Sequence, residues 1–245
     1  MSKRIRFFFG HLSISLMIAL IAIFIVFYIW YPAPLAKANG VSYIFIMMLA
    51  IDVVIGPLLS LLVYKEKKRT LKFDLGVIIL IQISAFLYGF HTIAQGRPAW
   101  LVFYHDRFDQ VRAIDVDSSN LSLAQEKFRS IPLFGVEYAA VTFSADTKIR
   151  QEDTLKELKG ITLAERPERY LFLDQITNQI NEKSQSIKLL EEFNDKEKVE
   201  SVLKEYPQAN AWLPLKATDI DMVVLINKNS SGIIGIVDLR PWKLN

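Results

Sequence analysis

The sequence predicts a membrane protein with three N-terminal transmembrane α-helices followed by an α+β extramembrane domain. Three long apolar runs occupy roughly residues 7–31, 41–64 and 75–95. Each run meets the ~20-residue length that a helix needs to cross a hydrocarbon core ~30 Å thick. Residues 97–245 alternate short apolar runs with turn formers, and they are enough for one domain of ordinary size. The expected division is therefore a three-helix region, 1–96, and a domain, 97–245.

Charge is distributed unevenly between these two parts. Residues 1–96 carry nine Lys or Arg and only three acids, whereas the other 149 residues carry 20 basic and 23 acidic side chains. The high pI therefore reflects basic residues that flank the membrane runs, and it does not indicate nucleic-acid binding. The chain has no cysteine, which excludes a disulfide framework, a thiol nucleophile and thiolate metal sites.

The basic residues also predict an orientation in the membrane. Lys3, Arg4 and Arg6 precede the first run, and a basic loop at residues 65–72 joins the second run to the third. Lys37 is the single charge in the loop between the first two runs. By the positive-inside rule, the N-terminus and loop 65–72 are cytoplasmic. In a bacterial inner membrane, residues 97–245 would then be periplasmic.

Short apolar runs predict the elements of the domain. Strands are expected at Trp100–Tyr104, Gln110–Val116 and Val136–Phe143. The spacing of apolar residues predicts a helical region from Tyr170 to about Glu205, with a break at Asn194-Asp195. Near the end, the turn formers Asn229-Ser230-Ser231-Gly232 separate two strand-like segments, which is typical of a hairpin; these segments are Met222–Asn227 and Ile233–Leu239. Strands at both ends around a helical middle predict an α+β fold.

A single carboxylate, Asp52, lies near the middle of the second apolar run. An ionisable group at this depth is unfavourable enough that its presence suggests a function or a partner. Asp52 could anchor a helix of another protein, or it could relay protons. Alternatively it faces its own bundle and bonds to a neighbouring backbone carbonyl or to a nearby polar side chain, the candidates being Ser60, Gln82 and Ser84.

Gly56 and Pro57 follow Asp52 within the same run. A proline in a membrane helix frees a backbone carbonyl and permits a kink, and small residues allow helices to approach closely. Ala50, Gly56 and Ser60 could therefore form a packing face. We treat Asp52, Gly56 and Pro57 as the candidate helix-packing or partner-binding site.

No motif indicates an enzyme, a metal or a cofactor. The three histidines, His11, His91 and His105, fall on different sides of the membrane in the predicted topology and cannot converge on one metal. The sequence contains no HExxH, GxSxG, P-loop or dinucleotide-binding pattern. We therefore expect a protein that is not an enzyme, with no catalytic, cofactor-binding or metal-binding residues.

Several segments in order resemble the TfpX/TfpZ group of type IV pilin accessory proteins. In chain order these segments are Tyr31-Pro-x-Pro-Leu35, Asp52-Val-Val-x-Gly-Pro-Leu-Leu59, Leu71-Lys-Phe-Asp74, Arg97-Pro-Ala-Trp-Leu-Val-Phe103, Asp106-Arg107-Phe108, Trp212-Leu-Pro-Leu215 and Gly235-Ile-Val-Asp-Leu-Arg-Pro-Trp242. The resemblance runs from end to end and is weakest over residues 117–210. Each motif is short, and the specificity lies in their order and spacing.

The resemblance implies an accessory role in type IV pilus biogenesis at the bacterial inner membrane, with type IV pilin as the partner and no catalysis. It supplies no established functional residue. The matched positions in the domain are candidates for a periplasmic contact or a structural motif, namely Arg97, Pro98, Asp106, Arg107, Asp238, Arg240, Pro241 and Trp242.

Other classes of protein stay open at this point. A membrane-anchored periplasmic sensor or ligand-binding protein has a similar layout, although the cytoplasmic side offers only a short tail and one loop. Three helices with a single buried acid disfavour a transporter fragment. The sequence does not decide the oligomeric state, or whether the direct partner is pilin, a glycosylation enzyme or the assembly platform.

Overall fold

The computed structural model describes residues 2–229 and 232–243 as two compact units. One unit comprises Met1–Ala36 with Gly40–Gly96, and the other comprises Arg97–Asn245 with the short segment Lys37–Asn39. The first unit is helical, and the second contains a mixed sheet with short helices. The expected fold class, three apolar helices followed by an α+β domain, is confirmed.

The helical unit contains three helices long and apolar enough to span a membrane. They are α1 (Lys3–Trp30), α3 (Val41–Val63) and α4 (Leu71–Gln95), and a single turn, α2 (Leu35–Ala38), lies in the first loop. Two of them begin several residues before the apolar runs, because their polar first turns are stabilised locally. The hydroxyl of Ser2 accepts a hydrogen bond from the backbone N–H of Ile5 (3.4 Å) at the start of α1.

Two stretches of π-helix interrupt the regular winding of the apolar helices. Ile25–Trp30 ends α1, and Ile51–Ile55 lies in the middle of α3, directly before Gly56 and Pro57. Single π-turns inside α-helices are rare and frequently occur at functional sites. Near the opposite end of the unit from the basic residues, the buried hydroxyl of Tyr31 donates to the carbonyl of Ile93 (2.9 Å) and links α1 to α4.

The domain is built on a seven-stranded mixed sheet. Its strands are β1 (Pro98–Tyr104), β2 (Arg107–Arg112), β3 (Glu137–Ala140), β4 (Gln185–Ser186), β5 (Ala211–Lys216), β6 (Met222–Asn227) and β7 (Gly232–Val237). The main order is β3-β1-β2-β5-β6-β7, and β4 pairs with β5. The β3–β1 and β2–β5 pairs are parallel, and the others are antiparallel.

Two apolar cores pack against the sheet. The first surrounds Trp100 and Tyr170, whose rings meet edge to face at 5.3 Å. The second surrounds Trp212 and Leu225, and it is covered by the amphipathic helix α7 (Lys196–Glu205) through Val199. Two shorter helices complete the domain, α5 (Thr147–Leu158) and α6 (Thr177–Lys183).

The structure corrects several predicted elements. The strand expected at Gln110–Val116 is β2, which starts earlier, after a tight turn in which His105 has a φ of 61°. It ends at Arg112 because the chain turns into a 3₁₀ segment, Ala113–Asp115. The strand expected at Val136–Phe143 is confined to β3, and the final strand covers Gly232–Val237 instead of Ile233–Leu239.

The helical region predicted from Tyr170 to about Glu205 is correct at its break, since Asp195 caps the start of α7, but the part before the break is not one helix. The segment is divided among 3₁₀ turns, α6, the short strand β4 and α7. Strand β4 ends this periodicity by pairing with β5, a contact between positions distant in sequence. Two residues of the predicted hairpin turn, Ser230 and Ser231, lie outside the described residues, although the flanking strands pair as expected.

Strand β5 was not predicted, because it contains Pro214. Proline has no N–H to donate to a neighbouring strand, so its presence normally argues against a central strand. Here β4 pairs with Ala211 and Trp212, and β2 pairs with Leu215 and Lys216. Both β2 and β4 lie on the edge of β5 that faces away from β6, and neither pairs with Pro214. The missing N–H of Pro214 is therefore tolerated in the middle of the sheet.

Candidate partner-binding site in the apolar helices

Asp52 is buried in the helical unit and lines a cavity of about 700 Å³. All three long helices contribute to the wall. It consists of Lys3, Arg6, Phe7, Gly10, His11, Ile14, Ser15, Ile18 and Ala19 from α1, Leu49 and Asp52 from α3 with Tyr64 just beyond its end, and Ile79, Gln82, Ile83 and Phe86 from α4. Most of the lining side chains in the middle of the membrane are apolar, except for a polar group that comprises His11, Ser15, Asp52 and Gln82.

Pro57 explains why the backbone near Asp52 needs an outside partner. In the five-residue spacing of a π-turn, the carbonyl of Asp52 would accept from the N–H of residue 57, which proline lacks. The side-chain amide of Gln82 on α4 replaces that donor, with Nε2 at 2.7 Å from the Asp52 carbonyl oxygen. The freed carbonyl expected from the Gly-Pro pair is therefore satisfied by another helix.

Gly56 makes room for this contact. A Cβ added at Gly56 would overlap the amide group of Gln82. The absence of a side chain therefore allows the amide to lie directly against α3. Gly56, Pro57 and Ser60 are buried, whereas Ala50, expected on the same packing face, is exposed.

The bond to Asp52 also determines which way the Gln82 amide points. Because Nε2 faces the carbonyl of Asp52 and lies 3.3 Å from the hydroxyl of Ser15, Oε1 faces His11. Nε2 of His11 lies 3.1 Å from that oxygen, and since Oε1 is an acceptor, His11 must be the donor. One orphaned carbonyl thus orders a chain of polar contacts across three helices.

Ser60 closes this polar network. Its hydroxyl donates to the carbonyl of Pro57 (2.8 Å) and lies 3.1 Å from Nδ1 of His11. His11 was considered in the sequence only as a metal ligand, and its packing role was missed. The sequence does contain a signal for this role: each of the three apolar runs has a polar residue in its interior, namely His11, Asp52 and Gln82.

The carboxyl group of Asp52 takes no part in the network. Within residues 2–229 and 232–243, no side chain or backbone group donates a hydrogen bond to its oxygens or forms an ion pair with them. The internal bonds expected from Ser60, Gln82 or Ser84 to this carboxyl are therefore not made, and Ser84 is exposed. The site combines polar groups that contact one another across three helices with one acid whose carboxyl bonds to no described residue.

The candidate residues at the start of the domain mostly bond within it. Arg97 is buried and donates through Nε and Nη2 to the carbonyl of Pro132, at 3.2 and 2.9 Å. Pro98 is buried at the start of β1. Asp106 is exposed in the β1–β2 turn, and Arg107 pairs with Asp109 at 2.6 Å. The contacts of Arg97 and the burial of Pro98 stabilise the domain.

Asp238 and Arg240 lie together at the end of the sheet. The carboxylate of Asp238 accepts from Lys37 (2.6 Å) and pairs with Arg240, and Lys198 lies 3.9 Å away. Arg240 also donates to the carbonyl of Asp221. Burial, together with the charges of Arg240 and Lys37, lowers the pKa of Lys198. Pro241 is buried and Trp242 is half-buried.

A second buried acid, Asp153 on α5, was not identified from the sequence. A single oxygen, Oδ1, accepts from Nη1 of Arg166 and Nη1 of Arg169, each at 2.5 Å. Burial acts to raise the pKa of Asp153, but the two guanidinium groups outweigh it and hold the pKa below its usual value. Because α5 has a mixed, strongly charged sequence, nothing local distinguished Asp153 from solvent-exposed acids.

In the part of the chain that the structure describes, no group of three or more His, Asp or Glu side chains has the arrangement of a metal site. In the polar wall around Asp52, the hydroxyl of Ser60 lies 3.1 Å from Nδ1 of His11, and Nε2 of His11 faces Gln82. The chemistry of this wall is hydrogen bonding between helices.

Comparison with known proteins places this architecture in a family. Residues 1–40 match the family model described as "Fimbrial assembly protein FimB". A fimbrial assembly protein of Dichelobacter nodosus, that of serogroups C1 and C2, is 38% identical over 98 residues, which cover 39% of this chain and 75% of that protein. The chain belongs to the fimbrial assembly protein family. This finding agrees with the pilus-accessory resemblance of the sequence.

Two longer relatives in the family match more of the chain. The fimbrial assembly proteins of serogroups I and E1 of Dichelobacter nodosus are each 34% identical over 159 residues, or 64% of this chain. The match covers 62% of each of those relatives. No solved structure matches this fimbrial assembly family member.

Proposed function

We propose that this protein is a non-catalytic accessory protein for type IV pilus assembly, which binds pilin in the bacterial inner membrane and stabilises it before or during assembly. Membership of the fimbrial assembly family supports the process. The observation that carries the binding function is the buried carboxyl of Asp52, which lines a cavity between the helices and has no partner among the described residues.

The proposed topology has the N-terminus and loop 65–72 in the cytoplasm and residues 97–245 in the periplasm. Its support is the basic character of these two segments and their proximity, since Nε of Arg4 donates to the carbonyl of Leu61 (2.7 Å) near the end of α3. Lys37–Asn39 of the first loop bond within the other unit, for example through the carbonyl of Ala38, which accepts from Asp219 (2.9 Å). Both observations agree with three membrane crossings, with the two basic segments on one side and the first loop on the other.

A pilin subunit that awaits assembly has a membrane helix and a periplasmic head. The helical unit would contact the first, and the domain would contact the second. Linked contacts reinforce each other, because the first raises the effective concentration for the second. Hydrogen bonds between membrane helices are modest, about 1–2 kcal/mol in model peptides and less on average in a folded membrane protein. Such bonds favour reversible holding, which an assembly step requires.

The test is co-purification of pilin with the full-length protein after mild crosslinking in cells, together with the lifetime of unassembled pilin. We expect Asp52→Ala and Gly56→Leu each to reduce the recovered pilin and shorten its lifetime. Leu62→Ala is the matched control, since Leu62 lies on the exposed side of α3. Pilin recovery that survives Asp52→Ala, Gly56→Leu and deletion of residues 105–245, each made alone, would reject the proposal.

A further inference from the structure

We infer that the cavity beside Asp52 binds the transmembrane helix of the assembly partner, and that this helix presents a hydrogen-bond donor to the Asp52 carboxyl at mid-membrane depth. The inference rests on the proposed function and specifies its chemistry. It assigns Asp52 to the partner and assigns His11, Ser60 and Gln82 to holding the wall of the site.

The first step is the unmet demand of the carboxyl group. A buried polar group without a hydrogen-bond partner is destabilising, and within a bilayer core there is little water to compensate. Asp52 is 9% exposed and lines the cavity, and no described residue bonds to its carboxyl oxygens. An occupant that carries a donor would satisfy it, whereas a hydrocarbon chain would not.

The second step is the shape of the facing wall. The lining positions of α1 run from Lys3 to Ala19 and recur every three or four residues, which forms one stripe along the helix. The sixteen steps from Lys3 to Ala19 rise about 24 Å, close to the thickness of a hydrocarbon core. Gly10, Ser15 and Ala19 keep this stripe shallow, and small residues of this kind let a second helix backbone approach closely.

The third step is the depth of the acid. Asp52 is the middle residue of α3, which spans Val41–Val63. The complementary donor must therefore lie near the centre of the partner helix, about ten residues from either end of its span. Side-chain amides, hydroxyls and cationic groups all meet the chemical requirement, because a carboxyl group accepts from each.

The competing occupant is an anionic lipid. Lys3 and Arg6 line the cytoplasmic end of the cavity in the proposed topology and could hold a phosphate, with an acyl chain along α1. That arrangement places hydrocarbon against Asp52, Gln82 and His11. The polar centre of the cavity therefore favours the donor-bearing helix, and the two occupants depend on different residues.

The experiment uses photo-crosslinking amino acids in the full-length protein, in cells that contain pilin. Ile14 and Ile18 line the cavity, and Met17 and Leu20 are exposed positions of α1 that do not. We expect adducts from Ile14 and Ile18 to the central part of the pilin helix, and none from Met17 and Leu20. Adducts formed with lipid alone, or equally from all four positions, would overturn the inference.

Substitutions test the chemistry at Asp52. Asp52→Asn keeps an acceptor and is expected to retain most of the cavity adducts, whereas Asp52→Leu is expected to weaken capture about five- to thirtyfold. Thermal unfolding in detergent checks that each variant folds. Loss of adducts in Lys3→Gln with Arg6→Gln, combined with unchanged adducts in Asp52→Leu, identifies a lipid occupant and rejects the helix.

The outcomes also separate this inference from the proposed function. Pilin captured from the domain, but never from Ile14 or Ile18, leaves the proposed function standing and rejects the cavity as its site. Adducts from Ile14 and Ile18 to the helix of a different membrane protein support the cavity chemistry and reject pilin as the partner. No protein adduct from Ile14 or Ile18, combined with no pilin co-purified with the full-length protein, rejects both.

Discussion

Asp52 and Asp153 are both buried carboxylates, and the protein treats them in opposite ways. Asp153 in the domain accepts from two arginines through one oxygen. Asp52 in the helical unit has a carboxyl with no described partner, although its backbone carbonyl is bonded to Gln82. The polar groups near Asp52 contact one another, since Gln82 bonds to the Asp52 carbonyl and faces His11 and Ser15, and the Asp52 carboxyl stays outside these contacts.

Under the proposed function, the difference separates an acid that supports the fold from one that binds a partner. A buried charge with internal partners is linked to the fold, because removing it leaves other charges uncompensated. A buried acid without such partners contributes little to folding and is available to a ligand. Stability and partner capture should therefore respond in opposite orders to substitutions in the two regions.

The largest loss of stability is expected for Asp153→Ala. It leaves Arg166 and Arg169 without their shared acceptor, and breaking a buried pair costs about 3–5 kcal/mol. Chemical unfolding of the full-length protein, followed by tryptophan fluorescence, measures this loss. Glu152→Ala is the control, because Glu152 is an exposed acid on the same helix. Equal effects of the two substitutions would show that the ion pairs of Asp153 with Arg166 and Arg169 do not stabilise the domain.

Acid pH should weaken the same region. Hydrogen bonds from the hydroxyl and backbone N–H of Ser119, together with Lys156, lower the pKa of Asp117 to about 2. A folded-state pKa below the unfolded value of ~3.9 stabilises fully above about pH 4, and the contribution is lost as the pH falls towards 2. The free energy of unfolding is expected to fall less between pH 5 and pH 2 in Asp117→Asn than in the unaltered protein. Identical profiles would contradict this assignment.

Gly56→Leu should destabilise the helical unit by about 1–3 kcal/mol, as overpacking does in well-packed sites. The cause is the clash with the Gln82 amide, which also breaks the network. Gly76→Leu is a matched control, since a Cβ at Gly76 meets no atom within 4 Å. Thermal unfolding in detergent compares the two variants, and a similar melting temperature in both would remove the packing argument.

Gln82→Leu should cost about 1–2 kcal/mol, because it leaves the carbonyl of Asp52 and the imidazole of His11 without their partner. Ser84→Leu on the same helix is the control, since Ser84 is exposed. The chemical environment of His11, observed by NMR of its ring, should change in Gln82→Leu alone. An unchanged His11 signal would argue against the network.

No loss of stability is expected for Asp52→Leu, because a buried polar group without a partner is itself unfavourable. No described residue bonds to the carboxyl that this substitution removes, so the fold loses no hydrogen bond. The same variant should show the largest loss of pilin capture among substitutions that leave the fold intact. A strong destabilisation of the isolated protein would assign Asp52 to internal packing and end the contrast with Asp153.

The sequence alone determined the three apolar helices, the buried acid at mid-depth and the adjacent Gly-Pro break. These features depend on hydropathy, charge and local backbone chemistry, which can be read within a few neighbouring residues. The same local character explains the terminal hairpin strands, whose apolar runs match β6 and β7. It also explains the failure at β5, where local chemistry alone argued against a strand.

Only the tertiary structure decided how the polar groups are shared. His11 meets Ser60 and Gln82 across 49 and 71 residues of chain, and Pro214 is tolerated because its neighbouring strands pair on either side of it. Partners so far apart in sequence leave no periodic signal. The physical reason is that hydrogen-bond satisfaction is a property of the folded neighbourhood, which leaves the Asp52 carboxyl without a described partner and gives Oδ1 of Asp153 two arginines.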